Sequence, residues 1–157
     1  MNTTTVLLII HGLLAVALLG AITHQAVSIW APARKPAGSS FIARARSVPG
    51  TTYGDAVVVL YLLTFALGGI IYADYRIEVR VVVEQLGLWS QNGAFELKEH
   101  FAAVGLGLLP LYWYYWRQPH AAEHARTRAA LTTTLAFIVW WNFLVGHVLN
   151  NIRGFGS

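Results

Sequence analysis

The sequence predicts an all-α integral membrane protein, a four-helix transmembrane bundle that forms a single domain over residues 1–157. Three observations predict this fold class. Hydrophobic residues make up 56% of the chain, only 11% of the residues are charged, and the mean hydropathy is +0.53, whereas about 25% of residues in soluble domains are charged. Four stretches approach the ~20 apolar residues that a spanning helix needs. Most of the cations lie in two loops on the same side of the predicted bundle.

Each of the four helices follows from its own sequence. The first, about residues 5–31, has an apolar run longer than the ~7–15 residues of a signal peptide and no preceding Lys or Arg, so we expect a permanent helix. The second, about residues 54–74, is apolar almost throughout. The third, about residues 93–117, contains Pro110, which predicts a kink that neighbouring helices can tolerate. The fourth covers about residues 127–150.

Between the second and third helices, residues 75–88 predict a short amphipathic helix on the outer membrane surface. Charged residues four positions apart share one face of this helix, and apolar residues at spacings of three and four share another. The alternating pattern of residues 76–81 also fits a strand, and the helix is the preferred interpretation. The apolar residues of the face are Tyr72, Tyr75, Val79, Val82 and Leu86.

The distribution of cations predicts the orientation in the membrane. The loops after the first and third helices hold seven of them, and the opposite side holds four, mixed with carboxylates. By the positive-inside rule, both termini face outward, and we expect a multi-pass protein of a bacterial inner membrane. The loops account for the net charge of +4, so nucleic-acid binding is not indicated. The seven cations are Arg34, Lys35, Arg44, Arg46, Arg117, Arg126 and Arg128.

The composition limits the chemistry of any bound group. The chain has no cysteine, which excludes disulfides, iron–sulfur clusters, thiolate metal sites and covalently attached c-type haem. Histidine remains as the principal ligand, and an ionisable residue inside a membrane indicates function by default. His11, His100 and His147 are predicted to lie on three different helices at the same outer level of the membrane.

These three imidazoles predict a membrane b-type cytochrome subunit. Two of the rings would bind the iron of a haem b from opposite faces, and the third would line a quinone pocket or carry protons. Asn150 and Arg153, just beyond the third ring, could donate hydrogen bonds to haem propionates or to a quinone carbonyl. The protein would transfer electrons to or from a quinone, with other membrane subunits as partners. We therefore expect an electron-transfer subunit of an oxidoreductase complex rather than a stand-alone enzyme.

His24 raises the question of a second haem. It lies 13 residues after His11, or about 20 Å along a helix axis, and in this general layout the chain looks like the four-helix, bis-histidine membrane cytochromes b. No family motif accompanies the layout. The two rings are about 140° apart around the helix, and only the loop residues His120 and His124 could serve as a second ligand with His24. We expect one haem rather than two.

Two other functions remain open. His11, His100, His147 and Glu96 could enclose a single copper, iron or zinc ion, because mixed histidine and carboxylate ligands suit a non-haem site. Small residues near the histidines favour a flat macrocycle over a single ion, although glycine is also common where membrane helices pack closely. The chain could instead be a cofactor-free accessory subunit of a larger membrane complex, with structural histidines.

Overall fold

The computed structural model of the chain describes residues 3–31, 50–119 and 122–152. Of these residues, 93% are helical and none lies in a strand, so the strand alternative for residues 76–81 is wrong. The elements are α1 (Thr3–Trp30), α2 (Gly50–Tyr75), a π-helical turn (Arg76–Arg80), α3 (Val81–Gln85), α4 (Trp89–Arg117) and α5 (Ala125–Ile152).

Three helical stretches are long and apolar enough to cross a membrane. They are Thr3–Trp30, Gly50–Gln85 and Ala125–Ile152. α4 has 29 residues and is long enough, but it is less apolar, because residues 96–99 are largely charged and residues 112–117 are tyrosines, tryptophans and an arginine. The chain is consistent with a multi-pass membrane protein, and a fourth crossing by α4 stays a prediction.

The segment between the second and third predicted helices is helical, but it is not a separate element. The helix of α2 continues through the π-helical turn into α3 and ends at Gln85. No proline or glycine interrupts residues 71–86, so the backbone can keep its hydrogen-bonded ladder and absorb the irregularity as one wide turn. Whether this end of the helix lies on a membrane surface stays a prediction.

A glycine turn joins α3 to α4. Gly87 has φ +69°, a left-handed conformation that glycine adopts at little cost. The Leu88 N–H donates to the Val83 carbonyl and the Gly87 N–H to the Glu84 carbonyl, both at 3.0 Å. This pair of bonds is the Schellman motif that ends helices. The chain therefore reverses within three residues, and α4 begins at Trp89, four residues earlier than predicted.

The long helices form an up-and-down bundle. α1 packs against α2 and α5, and α4 packs against the same two helices. The Thr4 hydroxyl, near the start of α1, donates to the Asp74 carboxylate at the end of α2 (2.6 Å). The Gln25 amide, near the end of α1, donates to the Gly50 carbonyl at the start of α2 (3.0 Å). Neighbouring helices are thus antiparallel, in the order α1, α2, α4 and α5 around the bundle.

The two halves of the bundle differ in packing. We call the half around His11 and Lys98 the upper half, and the half around Gln25 and Tyr112 the lower half. The lower half is filled by fully buried side chains, and the buried Tyr112 hydroxyl donates a hydrogen bond to the Gln25 amide oxygen. The core residues there include Ile22, Val57, Tyr112, Trp116, Leu131 and Leu135.

Indole-to-threonine hydrogen bonds hold α5 to its neighbours. Each joins a tryptophan N–H to a threonine hydroxyl on a different helix at 3.0–3.1 Å. Such interhelical bonds contribute about 0.6 kcal/mol each in a membrane, and here they fix the rotation of α5 against α1 and α4. The pairs are Trp30–Thr133, Trp140–Thr23 and Trp116–Thr132.

Candidate functional site

A cavity of about 390 Å³ occupies the upper half of the bundle. This volume lies within the range of cavities that hold small ligands and cofactors, ~300–1,000 Å³. All four long helices contribute to its wall, which is mainly apolar with a few polar groups. The polar and ring-bearing side chains on the wall include His11, Thr64, Tyr72, Tyr75, Lys98, Glu99, Asn142, His147 and Asn150.

His11 lines this cavity from α1, with its ring against α2. A Cβ atom built on Gly68 would lie 3.2 Å from the His11 Cε1 atom, so the absence of a side chain at Gly68 makes room for the imidazole. The Thr64 backbone carbonyl, one turn earlier on α2, lies near the ring. Among the described residues, the His11 Nδ1 atom is buried without a hydrogen-bond partner.

His147 lines the same cavity from α5, the helix that packs beside α1 on the side away from α2. Its ring stacks on that of Phe143, one turn earlier, with a centroid separation of 6.3 Å and an interplanar angle of 3°. Asn150 also lines the cavity, three residues further along the helix. The structure therefore brings together His11, His147 and Asn150 of the predicted site.

His100 and Glu96 lie elsewhere. His100 and His147 are both exposed, but His100 is not part of the cavity wall, and its Nδ1 atom is 2.8 Å from the Glu96 backbone oxygen. The Glu96 carboxylate pairs with the Arg80 guanidinium at 2.8 Å, which ties the end of α2 to α4. The three histidines that the sequence predicts at one level thus do not converge on one cavity in the structure.

A reason for this separation is the angular position of His100 on α4. The wall of the cavity includes Phe95, Lys98, Glu99 and Ala102 of this helix, at positions i, i+3, i+4 and i+7, which form one helix face. Lys98 and Glu99 form the middle of that face. His100 is two residues after Lys98 and one after Glu99, which places it about 200° and 100° from them around the helix axis. Depth in the membrane alone cannot distinguish these positions.

His24 lies in the lower half, apart from the cavity. Its ring stacks on the Tyr53 ring of α2 at 4.0 Å, with an interplanar angle of 11°. Of the two loop histidines considered as its partners, His124 packs edge-on against Tyr115 at 5.3 Å, and His120 lies outside the described residues. Arg153, which is predicted to contact the cofactor, also lies outside them.

Lys98 and Glu99 are charged residues of the cavity wall, and sequence reasoning missed the cavity role of the lysine. The Lys98 ammonium is 3.2 Å from the Glu99 carboxylate and 4.8 Å from the centre of the Phe95 ring. A Cβ atom on Gly146 of α5 would lie 3.4 Å from Lys98 Cε. The shared helix face of Phe95, Lys98 and Ala102 is the signal that could have identified it.

An aromatic cluster lines the cavity near the α2–α4 hairpin. The Tyr75 and Phe95 rings stack with their centroids 3.9 Å apart and an interplanar angle of 12°. The centroid of the Tyr72 ring lies 6.2 Å from each of the other two centroids. These rings contribute a flat apolar wall opposite the helices that carry His11 and His147. Such a wall suits a planar ligand, because aromatic side chains stack favourably at these distances.

Over the part of the chain that the structure describes, no group of three or more histidine, aspartate or glutamate side chains is placed to hold a metal ion. The cavity instead contains two imidazoles with space beside them. Comparisons of the chain with protein-family models, curated proteins and solved structures found no match.

Proposed function

We propose that the protein is a membrane b-type cytochrome subunit that binds one haem b in the upper cavity, with His11 and His147 as axial ligands. The observation that carries the proposal is the presence of two histidines, from two neighbouring helices, on the wall of one cavity inside a helical bundle. Helical bundles commonly build cofactor sites from side chains on facing helices.

The number of available ligands favours haem over a single metal ion. A porphyrin supplies four of the six iron ligands itself, so two imidazoles complete the coordination. A copper, zinc or non-haem iron ion needs three or more protein ligands in most sites, and no such group occurs among residues 3–31, 50–119 and 122–152. Glu96, the predicted carboxylate ligand, is paired with Arg80.

The surroundings of His11 suit a ligating imidazole. A histidine that binds a metal usually donates its second ring N–H to a carbonyl or a carboxylate, which fixes the ring orientation. The Thr64 carbonyl near the ring would be such an acceptor, since the buried His11 Nδ1 atom has no other partner among the described residues. Gly68 leaves the space that the ring needs against α2.

The chain's own residues would set the properties of a bound haem. The haem supplies one-electron chemistry, whereas the protein supplies ligands, burial and hydrogen bonds, which determine the reduction potential. The filled lower half separates the cavity from the opposite end of the bundle, so we propose electron exchange through the upper end. A quinone and an electron-transferring subunit are the partners that we propose there.

The proposal is tested by the absorption spectrum of the protein purified in detergent. We expect a Soret band that shifts on reduction by dithionite, with one haem per chain by the pyridine haemochrome assay. The variants His11→Ala and His147→Ala should each lose the low-spin spectrum. His100→Ala is the matched control and should retain it, because His100 lies off the cavity wall.

A glycine variant separates loss of the ligand from loss of the fold. In His147→Gly, added imidazole should restore the low-spin spectrum by occupying the vacated position. If either His11→Ala or His147→Ala keeps the complete low-spin spectrum, the assignment of that residue as a ligand is wrong. If the wild-type protein contains a metal ion without a Soret band, or neither, the cytochrome proposal is wrong, and the metal site or the accessory subunit replaces it.

A further inference from the structure

Lys98 is a cation inside the bundle that the axial ligation of haem does not use. Its side chain is only 18% exposed, less than that of any other residue in the ion pairs of the described chain. It lies on the face of α4 that forms the cavity wall. A charged side chain in such a position is costly unless partners compensate the charge.

The structure shows two partners for the Lys98 ammonium, the Phe95 ring at 4.8 Å and the Glu99 carboxylate, and the carboxylate is a weak one. Glu99 is its neighbour in sequence, and adjacent residues on a helix do not face each other. The Glu99 side chain is also 43% exposed, so solvent screens the pair. A lysine ammonium has three hydrogen-bond donors. Within the described ranges, Glu99 is the one acceptor that it contacts, which leaves two donors available to a ligand.

The Lys98 side chain lies next to the helix segment that carries one proposed iron ligand, His147. The Lys98 side chain extends toward α5 and passes Gly146, the residue before His147. His11 of α1 lines the same cavity. Asn150 contributes a further polar side chain to the same wall, one helical turn beyond Gly146. The cation therefore lies on the cavity wall beside the residue that precedes His147.

From this geometry we infer that Lys98 is the anion-binding residue of the cavity and forms an ion pair with a carboxylate of the bound ligand. The inference rests on the proposed function, under which the carboxylate is a propionate of haem b. A haem carries its two propionates on one edge, so a single cation on the wall can fix the rotation of the ring in an otherwise apolar cavity. Asn150 can donate a second hydrogen bond to the same group.

Haem and its dimethyl ester test this inference, because the ester has the same ring and iron but no carboxylate charge. The apoprotein is titrated with each compound, and binding is followed at the Soret band. A hydrogen bond between charged groups contributes about 1.5–3 kcal/mol, which corresponds to a factor of about 10–100 in affinity. We expect the wild-type protein to prefer haem over the ester by about tenfold or more.

Three variants identify the residue responsible. Lys98→Gln should bind haem and the ester with equal affinity, while its spectrum remains low-spin because the axial ligands are unchanged. Lys98→Arg keeps the charge and should keep a preference for haem. Arg76→Gln is the matched control: it removes a cation at the same end of the bundle from an exposed position outside the cavity, and the preference should equal that of the wild type.

The outcomes distinguish the two proposals. If the wild-type protein gives low-spin complexes with both compounds and prefers neither, or if Lys98→Gln retains the full preference, the inference about Lys98 is wrong and the haem site stands. If the wild-type protein forms no low-spin complex with either compound, the proposed function and this inference both fail. The comparison of haem with its ester in the wild-type protein remains decisive if Lys98→Gln does not fold.

Discussion

Gly68 is the residue that determines how closely the His11 imidazole approaches α2. A Cβ at this position would lie 3.2 Å from the His11 Cε1 atom, while a Cβ at the adjacent Gly69 would meet no atom within 4 Å. An alanine at either position gains helix propensity of about 0.5–1 kcal/mol over glycine. At Gly68, the ring has to move by a few tenths of an ångström to accept the methyl group.

We therefore predict that Gly68→Ala is less stable than Gly69→Ala. The measurement is the midpoint of unfolding in mixed micelles as the fraction of denaturing detergent increases. Gly69→Ala measures the propensity gain alone, so the difference between the two variants reports the contact with His11. Equal midpoints, or a higher midpoint for Gly68→Ala, would show that the ring has free space in this direction.

At the same scale, the sequence indicates which histidines belong to the cavity only when the angle around each helix is used. His11 is seven residues before the buried Leu18 and eleven before the buried Ile22, so the three share a helix face. His100 lies off the face that contains Lys98 and Ala102. The depth of a residue in a membrane follows from its position in the chain, whereas its direction follows from the stripe of buried neighbours.

At the scale of helices, the contact between α2 and α4 depends on Gly105. The Tyr61 hydroxyl of α2 donates to the Ala102 carbonyl at 2.9 Å, and this brings the phenol against Gly105. An added Cβ at Gly105 would overlap the Tyr61 hydroxyl and would also lie 3.2 Å from Ile138 Cγ2. A Cβ at Gly107, one half-turn further along α4, would meet nothing within 4 Å.

Gly105→Ala is therefore predicted to lower the free energy of unfolding by about 1–3 kcal/mol, the usual cost of overpacking. Gly107→Ala should leave it near the wild-type value. Adding Tyr61→Phe to Gly105→Ala should recover part of the loss, since it removes the overlapping hydroxyl at the cost of one interhelical hydrogen bond. Thermal or detergent unfolding measures the stability of each variant. If the effects of Gly105→Ala and Tyr61→Phe simply add in the double variant, the proposed overlap of the two groups is contradicted.

The helices themselves follow closely from the sequence, whereas the connections between them do not. The bounds of α1, α4 and α5 and the start of α2 lie within about four residues of the predicted ones, because long, mainly apolar stretches favour helices of this length. The helix after Tyr75 is different: an amphipathic face suggests a separate surface element, yet the backbone continues without a break to Gln85. Gly87 was the available signal for the end of this helix, since glycine typically follows a helix C-terminus.

At the scale of the whole molecule, the bundle has one filled half and one hollow half. The lower half buries residues such as Ile22 and Leu135 completely and contains the hydrogen bond between Tyr112 and Gln25. The upper half contains the cavity and the polar groups on its wall. Sequence composition alone does not show this division, because the cavity depends on small residues such as Gly12 and Gly68 at specific angles.

Under the proposed function, the side of the membrane toward which the hollow half faces determines which compartment would supply electrons to a haem bound there. The excess of cations in the loops at the lower end predicts that this end is cytoplasmic and that both termini lie outside. The chain contains no cysteine, so single cysteines can report the orientation without removal of native thiols. Suitable exposed positions are Thr3 and Glu78 at the upper end and Glu123 at the lower end.

We predict that a membrane-impermeant maleimide labels Thr3→Cys and Glu78→Cys in intact cells whose outer barrier has been removed. Glu123→Cys should be labelled only after the membrane is permeabilised. The positive-inside bias predicts this result because seven of the eleven cations belong to the segments that connect the helices after Trp30 and from Arg117 onward, and translocation of their charge is unfavourable. Labelling in the reverse pattern would place the cavity and Lys98 on the cytoplasmic side, and a haem in that cavity would then exchange electrons with cytoplasmic rather than external partners.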